Sequence, residues 1–380
     1  MERWRRGSRA ARRALATGLA AGVLAGCSVL SPPLLSPVPV DAAPLAPTIE
    51  RSSGAVARLL STTCSGAPIS GSGFVVDPHL VLTAAHVVDG ARRVSLRFSD
   101  RPPLAGAVVG IDLATDTALV RTSEAIEAPV VPLADTPGTS GASVAVLGYP
   151  LGESTLRSQV ARVSSTTETV SVNGSPIRGL VTVDATLPAG SSGGPVLDAD
   201  ATARGMVSAQ IGGRGGRDSV ALVTVAIPAS ILAERLAAWR TATPVTAACA
   251  GEPAGVAAAT VELSLATHDV DAPELGQMLW LFVAGLAAGE LPSTWGQLTP
   301  AQQAREGGFD AWAAAEVPRW TRISVLSAGR TGDRAEAVAR LRRPAAGSGC
   351  LQQEVGYAFQ LVNGSWLIDG VTARSTLTSC

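Results

Sequence analysis

At 380 residues the chain exceeds one ordinary domain and can supply two or three units with separate cores. With 30 basic against 31 acidic residues the formal charge is −1, so bulk electrostatics exclude attraction to nucleic acid or to an anionic membrane surface. Every basic residue is Arg, and without Lys a standard phosphate-binding loop is excluded as well.

Residues 1–26 read as a targeting segment, with six Arg between Arg3 and Arg13 and then an apolar run over 14–24 that is too short to span a bilayer. The run ends in Leu24-Ala25-Gly26-Cys27, which resembles the bacterial lipobox. That resemblance implies acylation of Cys27, so that the exported chain is held at the outer face of the cell membrane by a lipid anchor. Residues 27–53 are rich in Pro, Ser and Ala and predict an extended tether. Apart from Cys27 there remain Cys64, Cys249, Cys350 and Cys380, an even number that suits an oxidising compartment. Three pairings are open; Cys64 with Cys249 and Cys350 with Cys380 are favoured because each would close one predicted domain.

From 54 to 240 short runs rich in Val, Thr and Ile predict strands at 73–76, 80–83, 94–98, 107–110, 117–120, 143–147, 205–208 and 222–226. Gly, Pro, Asp and Ser punctuate them, the pattern of a β-barrel or sandwich. Apolar residues at helical spacing over 231–239 close the region. A linker rich in Ala, Thr, Pro and Gly follows at 241–255. Beyond it, over 256–380, helices at 275–286 and 308–314 precede strands at 323–326, 335–341, 355–361 and 366–368, which describes a smaller α+β domain.

Hydrolysis by a serine requires a hydroxyl on a tight turn, an imidazole to take its proton, a buried carboxylate to orient that imidazole, and backbone N–H groups facing the oxyanion. The small residues of Pro188-Ala189-Gly190-Ser191-Ser192-Gly193-Gly194-Pro195 permit such a turn, with Ser192 as nucleophile, Ser191 as its rival, and the Gly190 and Ser192 N–H groups as oxyanion donors. Of the three His, His79 follows Asp77-Pro78 in a surface turn and His268 lies in the other domain, which leaves His86, at the end of a strand, as the base. Asp116 directly precedes an apolar run and is the preferred orienting acid; Asp112 is the alternative. No metal-ligand spacing occurs among the His and Cys, so the consistent chemistry is hydrolysis without a cofactor.

Taken together, Gly71-Ser72-Gly73-Phe74-Val75-Val76 before Thr83-Ala84-Ala85-His86, Asp116-Thr117-Ala118-Leu119-Val120, Gly148-Tyr149-Pro150-Leu151-Gly152 and Gly190-Ser191-Ser192-Gly193-Gly194-Pro195 resemble the trypsin-like serine proteases, and more closely their HtrA-like (Deg) branch. The resemblance covers roughly residues 54–240 and implies a mainly β fold of two perpendicular barrels, with the triad between them and proteins or peptides as substrates. It also places Thr186 at the base of the primary specificity pocket, with Ser208 and Ala209 on its wall. None of these is acidic, which implies cleavage after small or medium apolar residues. Two departures stand out: Ser191 occupies a position where this branch often has Asn, and nothing after residue 240 resembles a PDZ domain.

The second domain resembles NTF2-like accessory domains, through Gly307-Gly308-Phe309-Asp310-Ala311-Trp312, Tyr357-Ala358-Phe359-Gln360-Leu361-Val362 and Gly364-Ser365-Trp366-Leu367-Ile368-Asp369. Three functions remain open: an active serine endopeptidase at the cell envelope, a catalytically silent protease-like module that binds or senses through its C-terminal domain, and non-protease hydrolysis of esters.

Overall fold

The computed structural model describes residues 42–63, 68–136, 138–172, 175–213, 221–245, 261–315, 319–345 and 349–380. Cys27, Cys64 and Cys249 lie outside them, as do the targeting segment and most of the expected linker.

The first surprise comes before the strands. Residues expected to end the tether form a short turn of 3-10 helix, Ala43–Leu45, and a helix α1 (Ala46–Ser53). Pro44 and Pro47 sit in the opening positions of these turns, where a missing N–H costs nothing. Leu45 is buried, and Thr48 Oγ1 donates to the Ala199 carbonyl at 2.7 Å, so tertiary docking holds the helix where composition suggested none.

Strands β1 (Val56–Thr63), β2 (Pro68–Asp77), β3 (Leu80–Thr83), β4 (Ala91–Arg97), β5 (Leu104–Asp112) and β6 (Thr117–Thr122) close a first antiparallel barrel in the order β1-β2-β3-β6-β5-β4. One turn of helix, α2 (Ala85–Val88), follows β3. The second barrel joins β7 (Ser143–Gly148), β8 (Arg157–Val172), β9 (Ser175–Val183), β10 (Pro195–Leu197), β11 (Ala203–Gly213) and β12 (Ala221–Pro228) in the order β7-β8-β9-β12-β11-β10. Val, Leu, Ile and Ala dominate the buried positions of both. Helix α3 (Ala229–Trp239) then returns to the first barrel, where the Trp239 ring fills the space a side chain at Gly110 would need. Arg235 pairs with Asp112 at 2.8 Å across the same contact.

The C-terminal domain is α+β. Strand β13 (Glu262–Leu265) pairs in parallel with β14 (Arg322–Thr331), and β15 (Arg334–Pro344), β16 (Cys350–Val362) and β17 (Ser365–Ala373) continue the sheet antiparallel, with β18 (Thr378–Ser379) against β16. Helix α4 (Ala272–Ala288) covers the sheet, and the short helices α5 (Leu291–Trp295), α6 (Pro300–Arg305) and α7 (Phe309–Ala314) cluster beside it. Cys350 and Cys380 form a disulfide, one of the two favoured pairs.

All the described elements belong to one compact unit. Arg58 of β1 reaches Glu274 and Gln277 of α4 at 2.8 Å each, and Arg97 of β4 reaches Glu274 at 2.9 Å. These charges are almost fully buried, so the contact between first barrel and C-terminal domain is ionic at its centre.

Candidate active site

The first barrel supplies the acid and the base. Ala84 is extended and the chain then winds into α2, whose Val87 and Val88 point into the core. His86, just before them in sequence, faces outward: its side chain is 42% exposed, while that of Asp116 is 1% exposed. Asp116 ends the turn between β5 and β6 at φ 49°, a left-handed conformation that Asp enters more easily than most residues. From there its carboxylate receives the His86 backbone N–H at 3.1 Å and faces His86 Nδ1 at 2.9 and 3.0 Å. An ionised carboxylate only accepts, so the proton sits on Nδ1 and Nε2 is left as the basic nitrogen.

A further donor was not anticipated. Ser208 Oγ donates to Asp116 Oδ2 at 2.5 Å, so its side chain supports the acid. Thr186 is exposed and Ala209 half-buried. The side-chain amide of Gln210 donates to the Leu187 carbonyl, linking the strand that carries Ala209 to the segment that carries Thr186. Gln210 has no sequence signal of its own, because its role depends on a contact with a different strand connection.

The second barrel supplies the hydroxyl. Ser191 Oγ is committed to the Pro188 carbonyl at 2.8 Å and the residue is buried, whereas Ser192 is half-buried and open on one side. Ser192 Oγ donates to the Ser208 carbonyl at 3.2 Å and not to the imidazole. Among the described residues neither the Gly190 nor the Ser192 N–H has a protein acceptor, while the neighbouring N–H groups of Ser191, Gly193 and Gly194 are all bonded. Gly190 has φ 93°, and a Cβ there would stand 2.5 Å from the Tyr149 carbonyl oxygen; only glycine fits.

Ser72 ties the two barrels together at this turn. Its N–H donates to the Ser192 carbonyl at 2.7 Å, its Oγ donates to the Gly190 carbonyl at 2.8 Å, and the same Oγ accepts the Tyr149 N–H at 2.9 Å. The other candidates lie elsewhere. Asp112 caps its own turn through Ala114 N–H and Thr115 Oγ1, His79 Nδ1 lies 3.2 Å from the Thr122 carbonyl, and His268 meets Arg93.

Two closed six-stranded barrels that hold a buried carboxylate bonded to a part-exposed imidazole, and a serine turn with two N–H groups that have no acceptor among the described residues, define the serine hydrolase class of double-barrel architecture. Residues 71–206 match the family model of the trypsin-like peptidase domain. The chain therefore carries a trypsin-like peptidase domain homologous to the HtrA/Deg serine proteases.

Serine protease Rv3671c of Mycobacterium tuberculosis is 33% identical over 158 residues, which cover 40% of this chain and 38% of that protease. The putative serine protease HhoB of Synechocystis is 36% identical over 134 residues, 34% of this chain and 32% of that one. The chain thus spans less than two thirds of the length of either relative. Among solved structures, the active form of the Rv3671c protease superposes with a TM-score of 0.48 at 27% identity, covering 57% of this chain and 97% of that chain.

Proposed function

We propose that the chain is a serine endopeptidase that works through His86, Asp116 and Ser192. The observation that carries this is the Asp116–His86 pair, with Nε2 left basic, joined through Ser208 to a serine turn whose Gly190 and Ser192 N–H groups have no acceptor among the described residues. A rotation about χ1 of Ser192 turns its hydroxyl from the Ser208 carbonyl toward the imidazole, as substrate binding tightens such contacts. The hydroxyl proton passes to Nε2 as the Oγ–carbon bond forms, and the Gly190 and Ser192 N–H groups hold the oxyanion. Collapse breaks the peptide C–N bond, the leaving amine takes the proton from Nε2, and water then releases the acyl group with Nε2 again as base.

Thr186 and Ala209 carry no charge, so a buried Arg or Lys before the scissile bond would lack a counter-ion, and the site favours small or medium apolar residues there. The N-terminal pattern supports export and a lipid anchor at Cys27. The long helix α4 packed on a mixed sheet supports an NTF2-like accessory domain over 256–380, after a linker at 241–255.

Labelling with a fluorophosphonate probe tests the mechanism: wild type labels and Ser192→Ala does not. A wild type that resists the probe overturns the endopeptidase reading in favour of the silent module, and labelling that survives in Ser192→Ala assigns another nucleophile. A peptide library cut chiefly after basic residues would refute the specificity.

A further inference from the structure

One of the two proposed oxyanion donors depends on one peptide plane, and that plane is held by the connection between β7 and β8. The Ala189 carbonyl accepts the Leu151 N–H at 2.6 Å. Because the peptide is planar and trans, fixing that carbonyl on one side fixes the Gly190 N–H on the other, toward the place where the oxyanion develops. If Leu151 withdraws, nothing else among the described residues holds the Ala189 carbonyl, and the plane can turn its N–H away.

Leu151 belongs to the connection between β7 and β8, and the far side of this connection is gripped by the C-terminal domain. Strands β16 and β17 are joined by a two-residue turn, Asn363-Gly364, with φ 51° and 83°, so that Val362 pairs with Ser365. The Gly364 carbonyl at the tip accepts both the backbone N–H and the Oγ–H of Ser154, each at 2.6 Å. Glu153 and Ser365 form an antiparallel bridge alongside. The fit is close enough that a Cβ on Gly364 would stand 1.7 Å from Thr155 Oγ1 and 2.6 Å from Thr155 Cβ. Helix α4 reaches the same connection, with Leu281 Cδ1 3.8 Å from where a Cβ on Gly152 would lie.

We infer that the Asn363-Gly364 turn is a positioning element for catalysis: by splinting residues 150–155 it keeps Leu151 on the Ala189 carbonyl and the Gly190 N–H in the oxyanion hole. The inference rests on the endopeptidase reading. Ser154 and Gly364 touch no substrate; they act through the Leu151–Ala189 bond. Two donors meeting one carbonyl, and a left-handed glycine whose Cβ would strike Thr155, give this contact a specificity that mere packing between domains does not require.

The test uses the full chain carrying Gly364→Ala, and the double variant Gly364→Ala/Thr155→Gly, which removes the side chain that the new methyl would strike. Wild-type labelling by a fluorophosphonate is established first; a wild type that does not label overturns the endopeptidase reading and this inference with it. With a labelled wild type, we expect Gly364→Ala to lower kcat on a cleaved peptide by about 10²-fold, with KM changed less than about threefold, since a lost oxyanion donor costs about 10²–10³ in rate. A peptide aldehyde, which forms a tetrahedral adduct on Ser192, loses affinity in parallel. The double variant, relieved of the clash with Thr155 and left with the strain of a left-handed Ala, regains part of both.

Unchanged kcat in Gly364→Ala, or a loss that the double variant does not recover, overturns the inference while leaving the protease intact. Should Gly364→Ala fail to fold, Ser154→Ala removes only the Oγ donor. It is expected to lower kcat about tenfold at constant KM, the share of one hydrogen bond, and an unchanged kcat would equally overturn the inference.

Discussion

Replacing Glu274 by Ala should undock the C-terminal domain from the first barrel. Glu274 Oε1 receives Arg58 Nη1 at 2.8 Å and Oε2 receives Arg97 Nη1 at 2.9 Å, in a contact where Arg58 and Glu274 are 1% and 2% exposed. Burial pushes the Arg58 guanidinium below its ordinary range, while Glu274 opposes that shift and Arg97 adds to it. The variant leaves Arg58 with only the neutral Gln277 and Arg97 with Asp271 and the Val270 carbonyl, two like charges facing each other out of water. Two buried charge-assisted bonds at about 1.5–3 kcal/mol each set the loss at about 3–6 kcal/mol, consistent with about 3–5 kcal/mol for breaking a buried pair from one side.

Urea unfolding followed by tryptophan emission reads this change, because Trp280 rides on α4 and donates to the Val261 carbonyl at 2.8 Å. The expected result is an early transition in Glu274→Ala, absent from wild type. The triple replacement Arg58→Met/Arg97→Met/Glu274→Leu should restore stability, since it leaves no stranded charge. A loss below about 1 kcal/mol in Glu274→Ala would refute the reasoning, because it would mean that water reaches the two arginines.

Two further outcomes follow from the site and its neighbour. Ser208→Ala removes the hydroxyl from Asp116 Oδ2 and should lower kcat/KM about 10–100-fold through a loss of about 1.5–3 kcal/mol with the fold intact, measured on the same peptide substrate used for wild type. Burial pushes the Tyr149 phenol up to about 12 from an ordinary 10.0. The unfolded chain therefore ionises first, and the stability from this group is present below pH 10 and is lost as pH rises toward about 12. The loss amounts to about 2–3 kcal/mol, and Tyr149→Phe should flatten that part of an alkaline unfolding profile; an identical profile would show that the phenol is solvated.

What was legible in the sequence was local. The strands over 73–76, 80–83, 117–120 and 143–147 stood out because a barrel core demands continuous Val, Leu and Ala there, and they fall within β2, β3, β6 and β7. The long pair β8 and β9 escaped, because much of β8 alternates Ser, Thr and Glu and pairs by backbone more than by apolar faces. Helix α6 went unread, although Thr299 Oγ1 accepts the Gln302 N–H at 3.1 Å, a cap that depends only on neighbours in sequence. The helix over residues 46–53 had only its prolines to announce it, since Thr48 is held by Ala199, 151 positions away.

The sequence by itself determined the chemical inventory: a glycine-rich turn that carries Ser192, a single well-placed imidazole, and two aspartates close enough in the chain to compete for it. Small residues and motif order are local properties, and they survive without coordinates. Tertiary structure alone decided which aspartate turns toward His86, which serine is tied down, and that Ser208 braces the acid from 92 positions away. It also brought Gly364 against Ser154 across 210 positions and Glu274 between Arg58 and Arg97. Such contacts join elements far apart in the chain, so no periodicity or spacing along it records them.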